Sequence, residues 1–191
     1  MPTAGSEESY RSEVERQRLE KDEFFKSHPH SPIPWPARSK MAGIEYFPID
    51  SQYRLRVTLV RYPKPDAVVL ATSKGVPRNM VRYGYFDFSI HGQAGRLQVY
   101  RSTDPDPYLF VPFRDATSGR ETYGAGRYLD IEVRAGDEYV LDFNLAYNPY
   151  CAYSNDYVCP FPPRENWLDM PIGVGEKDFP FPPEPTAEAH P

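Results

Sequence analysis

The residues best suited to chemistry lie in "RYLDIEVRAGDEYVLDFN", residues 127–144. Leu129, Ile131 and Val133 alternate with polar residues, and so do Tyr139, Leu141 and Phe143. If these two segments form a hairpin, both apolar sets must share a face, because a slip of one residue turns one set outward. A two-residue Ala135-Gly136 turn pairs Glu132 with Tyr139 and fails that test. A three-residue Ala135-Gly136-Asp137 loop with a left-handed glycine pairs Val133 with Tyr139, Ile131 with Leu141 and Leu129 with Phe143. The other face then carries Asp130 opposite Asp142 and Tyr128 opposite Asn144. Directly opposed β-carbons stand about 4.5–5.5 Å apart, a distance at which like charges repel. On an enclosed face a shared proton, a nearby Arg or a bound cation would relieve that repulsion. The pair would then act as coupled acid and base in a hydrolase- or isomerase-type step. On a wet face the two aspartates are simply screened.

Two neighbouring segments supply further polar groups. "FRDATSGRETYGAGRYLD" places Asp115, Thr117 and Tyr123 at one end of the sheet, with Arg127 available to hold an anionic substrate group. Its glycines 119, 124 and 126 serve either converging backbone N–H groups around an anion or the tight turns of a long connection. "YNPYCAYSNDYVCPFPPRENW", residues 147–167, holds both cysteines of the chain and reads as a stiff, non-sheet cover, with Tyr147 and Asn148 at its root. The spacing of Cys151 and Cys159 fits neither a Cys-x-x-Cys redox motif nor a zinc knuckle, so no metal site is expected. Two buried thiols that hold the shape of the cover are the default, and a disulfide is the alternative. His28, His30, His91 and His190 read as surface residues.

The elements that must position these groups follow from composition and period. The chain has 191 residues, with 22 prolines, 15 Tyr, 11 Phe and 2 Trp, a mixture that disfavours helix and favours pleated strands. Residues 6–27 are the exception, an uninterrupted helix capped by Ser6. Tyr10, Val14, Phe24 and Phe25 form its apolar stripe and Leu19 lies opposite, so its last turn straps onto a larger body while its charged middle stays in water. From residue 43 the period is two. "YRLRVTLV", "VVLAT", "YGYFDFSI", "RLQVY", "YLFVPF", "RYLDIEV" and "YVLDF" read as strands. The expected fold is all-β, an antiparallel barrel or sandwich meander of seven or more strands. Residues 1–42 are helix and Pro-rich linker, 43–179 a single β domain including the cover, and 180–191 a disordered tail. The net charge of −5, with no basic stripe, argues against nucleic acid. No apolar run suits a bilayer and no secretory leader opens the chain, so a soluble cytoplasmic protein is expected.

"KDEFF", "GIEYFPID", "FVPFRDATSGRETYGAGRYLD", "LDFNLAYNPYCAYSNDYVCPFPPRENWL" and "IGVGEKDF" together resemble the bacterial and archaeal domain-of-unknown-function family 1684, over about residues 20–179. That resemblance implies no reaction and carries over no catalytic residue. It marks the segments Phe113–Asp130 and Asp142–Asn166 as those by which the family is recognised.

The functional expectation is a small-molecule pocket walled by Asp115, Thr117, Tyr123, Arg127, Tyr128, Asp130, Asp142, Asn144, Tyr147 and Asn148. Asp130 and Asp142 would be the catalytic pair, and Asn144 and Asn148 would orient the substrate. No cofactor fingerprint is present, which disfavours redox chemistry and leaves any cofactor unnamed. The alternative is a non-catalytic module that binds a flat ligand such as flavin or haem, or a partner protein. Oligomeric state is not legible in this sequence.

Overall fold

A computed structural model describes residues 4–104 and 106–183. Helix α1 (Ala4–Ser27) leads through a short helical turn at Trp35–Arg38 into strands β1 (Arg54–Leu70), β2 (Arg78–Ile90), β3 (Gln93–Ser102), β4 (Tyr108–Phe113), β5 (Arg127–Glu132) and β6 (Glu138–Asp142). All pairings are antiparallel, in the order β5-β4-β3-β2-β1-β6, and the sheet curls into a nearly closed barrel. The class is therefore mixed rather than all-β. The strands number six because "YRLRVTLV" and "VVLAT" are one strand. Pro63 and Pro65 lack the N–H needed for a ladder, so the chain between Arg61 and Asp66 bulges and then resumes pairing with β2.

The expected hairpin of β5 with β6 does not form. β5 pairs with β4, setting Asp130 opposite Phe110, and β6 pairs with β1, setting Asp142 opposite Arg54. Gly136 is left-handed (φ +84°), yet its turn joins the two edge strands rather than a ladder. The facial assignment survives: Leu129, Tyr139, Leu141 and Phe143 are buried in one core with Ile131 and Val133 packed against it. Period two says which residues share a face, and it is silent about which strand lies alongside.

Between β5 and β6 the barrel is stitched by the chain after β6. Tyr128 and Tyr147 exchange both backbone hydrogen bonds, at 2.9 and 3.1 Å. A second gap lies between β3 and β4, which pair only at Tyr100 and Phe110. Pro112 has no N–H to offer there. Asn166, fully buried, fills the gap with its amide: Oδ1 accepts from Gln98 N–H (2.7 Å), while Nδ2 donates to the carbonyls of Gln98 (2.9 Å) and Pro112 (2.7 Å).

Helix α1 begins two residues before Ser6; Glu13, Glu15, Arg16 and Glu20 in its middle are exposed, while Arg18, Lys21 and Asp22 turn toward the body. Arg18 donates to the carbonyls of Phe47 (3.0 Å) and Asn144 (3.3 Å), Asp22 accepts from Ile44 N–H (2.9 Å), and Lys21 bonds Glu176. Val14 and Phe25 are buried and Leu19 is exposed. In the tail, Phe181 packs on the Phe179 ring, while Pro180 and Pro182 are exposed. The rest of the expected disordered tail, and His190, lie outside the described residues. Among the described residues no helix is long and apolar enough to cross a membrane.

Replacing Asn166 by Ala strips partners from three buried backbone groups, at about 1–3 kcal/mol for each one left unpaired. Urea unfolding should show a loss larger than any single surface truncation produces, and a loss under 1 kcal/mol would contradict this role for the amide.

Candidate functional site

The residues singled out by the sequence occupy separate places. Arg127 and Asp115 form a fully buried ion pair at 2.9 Å. The guanidinium also donates to the carbonyls of Ile172 (2.8 Å), Val174 and Glu176 (3.2 Å). Asp115 Oδ1 accepts from Thr117 N–H (2.8 Å), Thr117 Oγ1 (2.6 Å) and Ile172 N–H (3.1 Å). Burial lowers the pKa of Arg127, and the charge of Asp115 opposes that fall. These groups bond to the protein itself. The N–H groups of Gly119 and Gly126 close turns onto the carbonyls of Thr122 and Tyr123, so the glycine-rich segment is turn chemistry rather than an anion cradle. Asp115→Ala should cost about 3–5 kcal/mol by leaving a buried guanidinium unpaired. Thermal unfolding checks this, and a variant with unchanged melting temperature would refute it.

Asp142 sits beside helix α1. Tyr10 donates to both its carboxylate oxygens (2.8 and 3.0 Å), Asn144 Nδ2 to one of them (3.0 Å), and Arg54 lies 3.6 Å away. Burial, then the negative charge of Asp142, raises the pKa of Tyr10. Asn144 also exchanges hydrogen bonds with the backbone of Asp50 (2.8 and 2.9 Å). Asn148 belongs to a third cluster, around the buried carboxylate of Glu176. Glu176 accepts from Asn148 N–H (2.7 Å), Tyr153 OH (2.8 Å) and Lys21, while Asn148 Nδ2 donates to the Lys177 carbonyl (2.7 Å).

Tyr128, Asp130 and Tyr147 do come together, on the outer face of the sheet beneath the cover. The cover is fixed at both ends and between them. Tyr147 pairs with Tyr128 and Trp167 with Arg114, while Thr72 pairs with Pro160, with Phe161 N–H on the Ala71 carbonyl (2.7 Å). Between cover, sheet and helix lies a cavity of about 810 Å³. Phe24, Phe25, Phe110, Tyr128, Tyr147, Tyr150 and Tyr157 give it aromatic walls. Lys21, Arg78, Asp106 and Asp130 are its charged groups, and Cys159 forms part of the wall. Tyr123 stands behind that wall, its hydroxyl 3.7 Å from Cys151 Sγ.

Asp130 reaches into the cavity and accepts a hydrogen bond from Tyr147 OH. Its pKa is raised chiefly by desolvation within the recess. Tyr147 opposes this by stabilising the carboxylate, and Asp106 adds repulsion. The hydroxyl of Tyr147 is itself held protonated by burial and by the Asp130 charge. The native protein therefore retains the Asp130 proton over a pH range in which the unfolded chain releases it, so this contribution to stability is present in acid and lost as pH rises through the native value. Tyr147→Phe removes the stabilising donor and should move the Asp130 titration, followed by carboxyl carbon NMR, to still higher pH. A downward movement would contradict the assignment.

The separation of Asp130 from Asp142 onto different neighbours removes the expected acid–base pair. Sequence reasoning also missed Lys21, Glu176 and Asn166. Glu176 lay within the quoted "IGVGEKDF", and Lys21 four residues before Phe25 on the helix, but neither signal gave them a partner.

The chain belongs to the family described as protein of unknown function DUF1684, which matches residues 39–177. Its fold is similar to the solution structure of an uncharacterized protein from Haloarcula marismortui, at 38% identity and a TM-score of 0.71, covering 92% of this chain and 97% of the other. No curated protein matches.

Proposed function

We propose that the protein binds a small molecule in the cavity beneath the 147–167 cover, and that the ligand has a flat apolar body and an amine or hydroxyl group that donates to Asp130. The observation that carries this reading is a cavity whose aromatic walls surround a carboxylate open to it. Such a combination of apolar enclosure with a few placed polar groups is what small-molecule sites share. The charge balance favours a donor over an anion. Lys21 is already neutralised by Glu176, which leaves Arg78 as one cation against two carboxylates, Asp106 and Asp130, on the cavity lining. The rings of Tyr128, Phe110 and Tyr147 meet edge to face, at centroid distances of 4.8 and 5.8 Å, and form a continuous apolar wall for a planar body.

Catalysis within this reading rests on Asp130 and Tyr147, a carboxyl with a raised pKa bonded to a phenol, and no longer on a pair of aspartates. That arrangement suits a proton transfer to or from a bound substrate.

A thermal-shift screen with small aromatic amines and alcohols tests the reading, since a ligand that binds only the native state raises its melting temperature. Some members should stabilise the wild type, Asp130→Asn should weaken amines more than alcohols, and Ser102→Trp, which fills the cavity from β3, should abolish both effects. Stabilisation that survives Ser102→Trp would place the ligand elsewhere. An absorption spectrum of the purified protein distinguishes a coloured occupant, a flavin or haem, from a colourless one.

A further inference from the structure

The two cysteines serve neither the barrel nor the anchoring of the proposed ligand's polar group. They lie at the two ends of a short loop of the cover, both buried and both reduced. Cys151 N–H donates to Cys159 Sγ at 3.2 Å, and Tyr123 OH lies 3.7 Å from Cys151 Sγ. Backbone bonds hold this arrangement on both sides. Cys159 exchanges bonds with Ser73 (3.0 and 3.1 Å), and the helical turn Tyr150–Ala152 closes with Ala152 N–H on the Pro149 carbonyl (2.9 Å). Cys159 forms part of the cavity wall, and Cys151, bonded to it through its N–H, lies next to that wall rather than in it, so only a molecule as small as a peroxide reaches the pair, by way of Cys159.

We propose that Cys151 and Cys159 form a thiol-oxidation site, in which a small hydroperoxide reaching the cavity converts the pair to an intramolecular disulfide. A buried cysteine in apolar surroundings is ordinarily unreactive, because burial disfavours the thiolate. Here the thiol of Cys159 and the hydroxyl of Tyr123 both donate to Cys151, and its pKa is pushed down to about 7 against the effect of burial. Cys159 is pushed up by the same bond and by burial, so it holds its proton. The two sulfurs thus have different roles.

The thiolate of Cys151 attacks one peroxide oxygen, forming an S–O bond as the O–O bond breaks, and an alcohol, or water from hydrogen peroxide, leaves after protonation. Cys159 then attacks the sulfenic sulfur. The S–S bond forms, the S–O bond breaks, and hydroxide leaves as water with the proton from Cys159. Two thiols are oxidised by two electrons and one peroxide is reduced. This inference is independent of what the cavity binds, since it needs only that a small peroxide enters.

The test uses the full chain, reduced and then exposed to hydrogen peroxide, with thiols counted after denaturation and intact mass measured. The wild type should lose both thiols and two hydrogens, remain a single chain, and recover both thiols with dithiothreitol. Cys159→Ser should stop at the sulfenic acid, trapped by dimedone at Cys151, and Cys151→Ser should leave Cys159 unreacted. The wild-type rate should rise through pH 7, and Tyr123→Phe should move that rise to higher pH. The proposal is overturned if both thiols persist at a peroxide concentration that oxidises glutathione in the same tube. It is also overturned if the disulfide joins two chains, or if Cys159 reacts equally fast in Cys151→Ser. Unfolding curves of each variant, matched to the wild type, keep the comparison to folded protein.

Discussion

The buried guanidinium of Arg127 is the constraint on which the rest of the molecule depends. Placing a cation out of water is costly, and the cost is offset only when its donors are matched by acceptors of fixed geometry. Asp115 supplies the countercharge, and the carbonyls of Ile172, Val174 and Glu176 accept from the same two terminal nitrogens, leaving Nε alone without a partner among the described residues. Since those carbonyls belong to one stretch of backbone, satisfying Arg127 fixes the path of the C-terminal segment against the barrel. Ile172 and Val174 are thereby held in the main core. Gly175 follows with φ +80°, where a β-carbon would stand 2.7 Å from the Ala146 carbonyl.

From that fixed path the remaining contacts radiate. Glu176 is delivered into the interior, where Lys21 of helix α1, Asn148 at the root of the cover and Tyr153 within it all bond its carboxylate. The same chain segment therefore joins helix, cover and barrel, and the cavity exists where those three bodies meet. The cover's other end is held by Asn166, which inserts into the sheet where Pro112 leaves the ladder incomplete. A proline that weakens a strand and an amide that repairs it together decide where the cover is attached.

Much of this was legible in local patterns. Alternation identified the strands and their inward faces, the prolines identified the cover, and Tyr147 was placed at its root. What local pattern lacks is long-range pairing. The apolar sets of β5 and β6 are compatible with pairing to each other or to β4 and β1, and the barrel chooses the second, which is why Asp130 and Asp142 part company. Pro63 and Pro65 lie between two segments that read as separate strands, and a bulge absorbs them into one. Arg127, Asp115 and Thr117 read as ligand-binding residues and stand in a buried ion pair and its hydrogen bonds, because a buried ion pair and a ligand site draw on the same residue types. Lys21, in a helix that reads as solvent-facing, is needed by a carboxylate 155 positions away, a relation with no trace in the adjacent sequence.

The central claim is that the outer face of the sheet, closed by the cover, is where a ligand sits. It is tested most directly by amide chemical-shift mapping of the ¹⁵N-labelled chain with the compound that stabilises it most. The account predicts that perturbed amides cluster at Tyr128–Asp130, Tyr147–Tyr150 and Tyr157–Cys159, with those of Tyr10, Arg54 and Asp142 unmoved. Shifts confined to the Tyr10 and Asp142 side, or spread through the barrel interior, would contradict it.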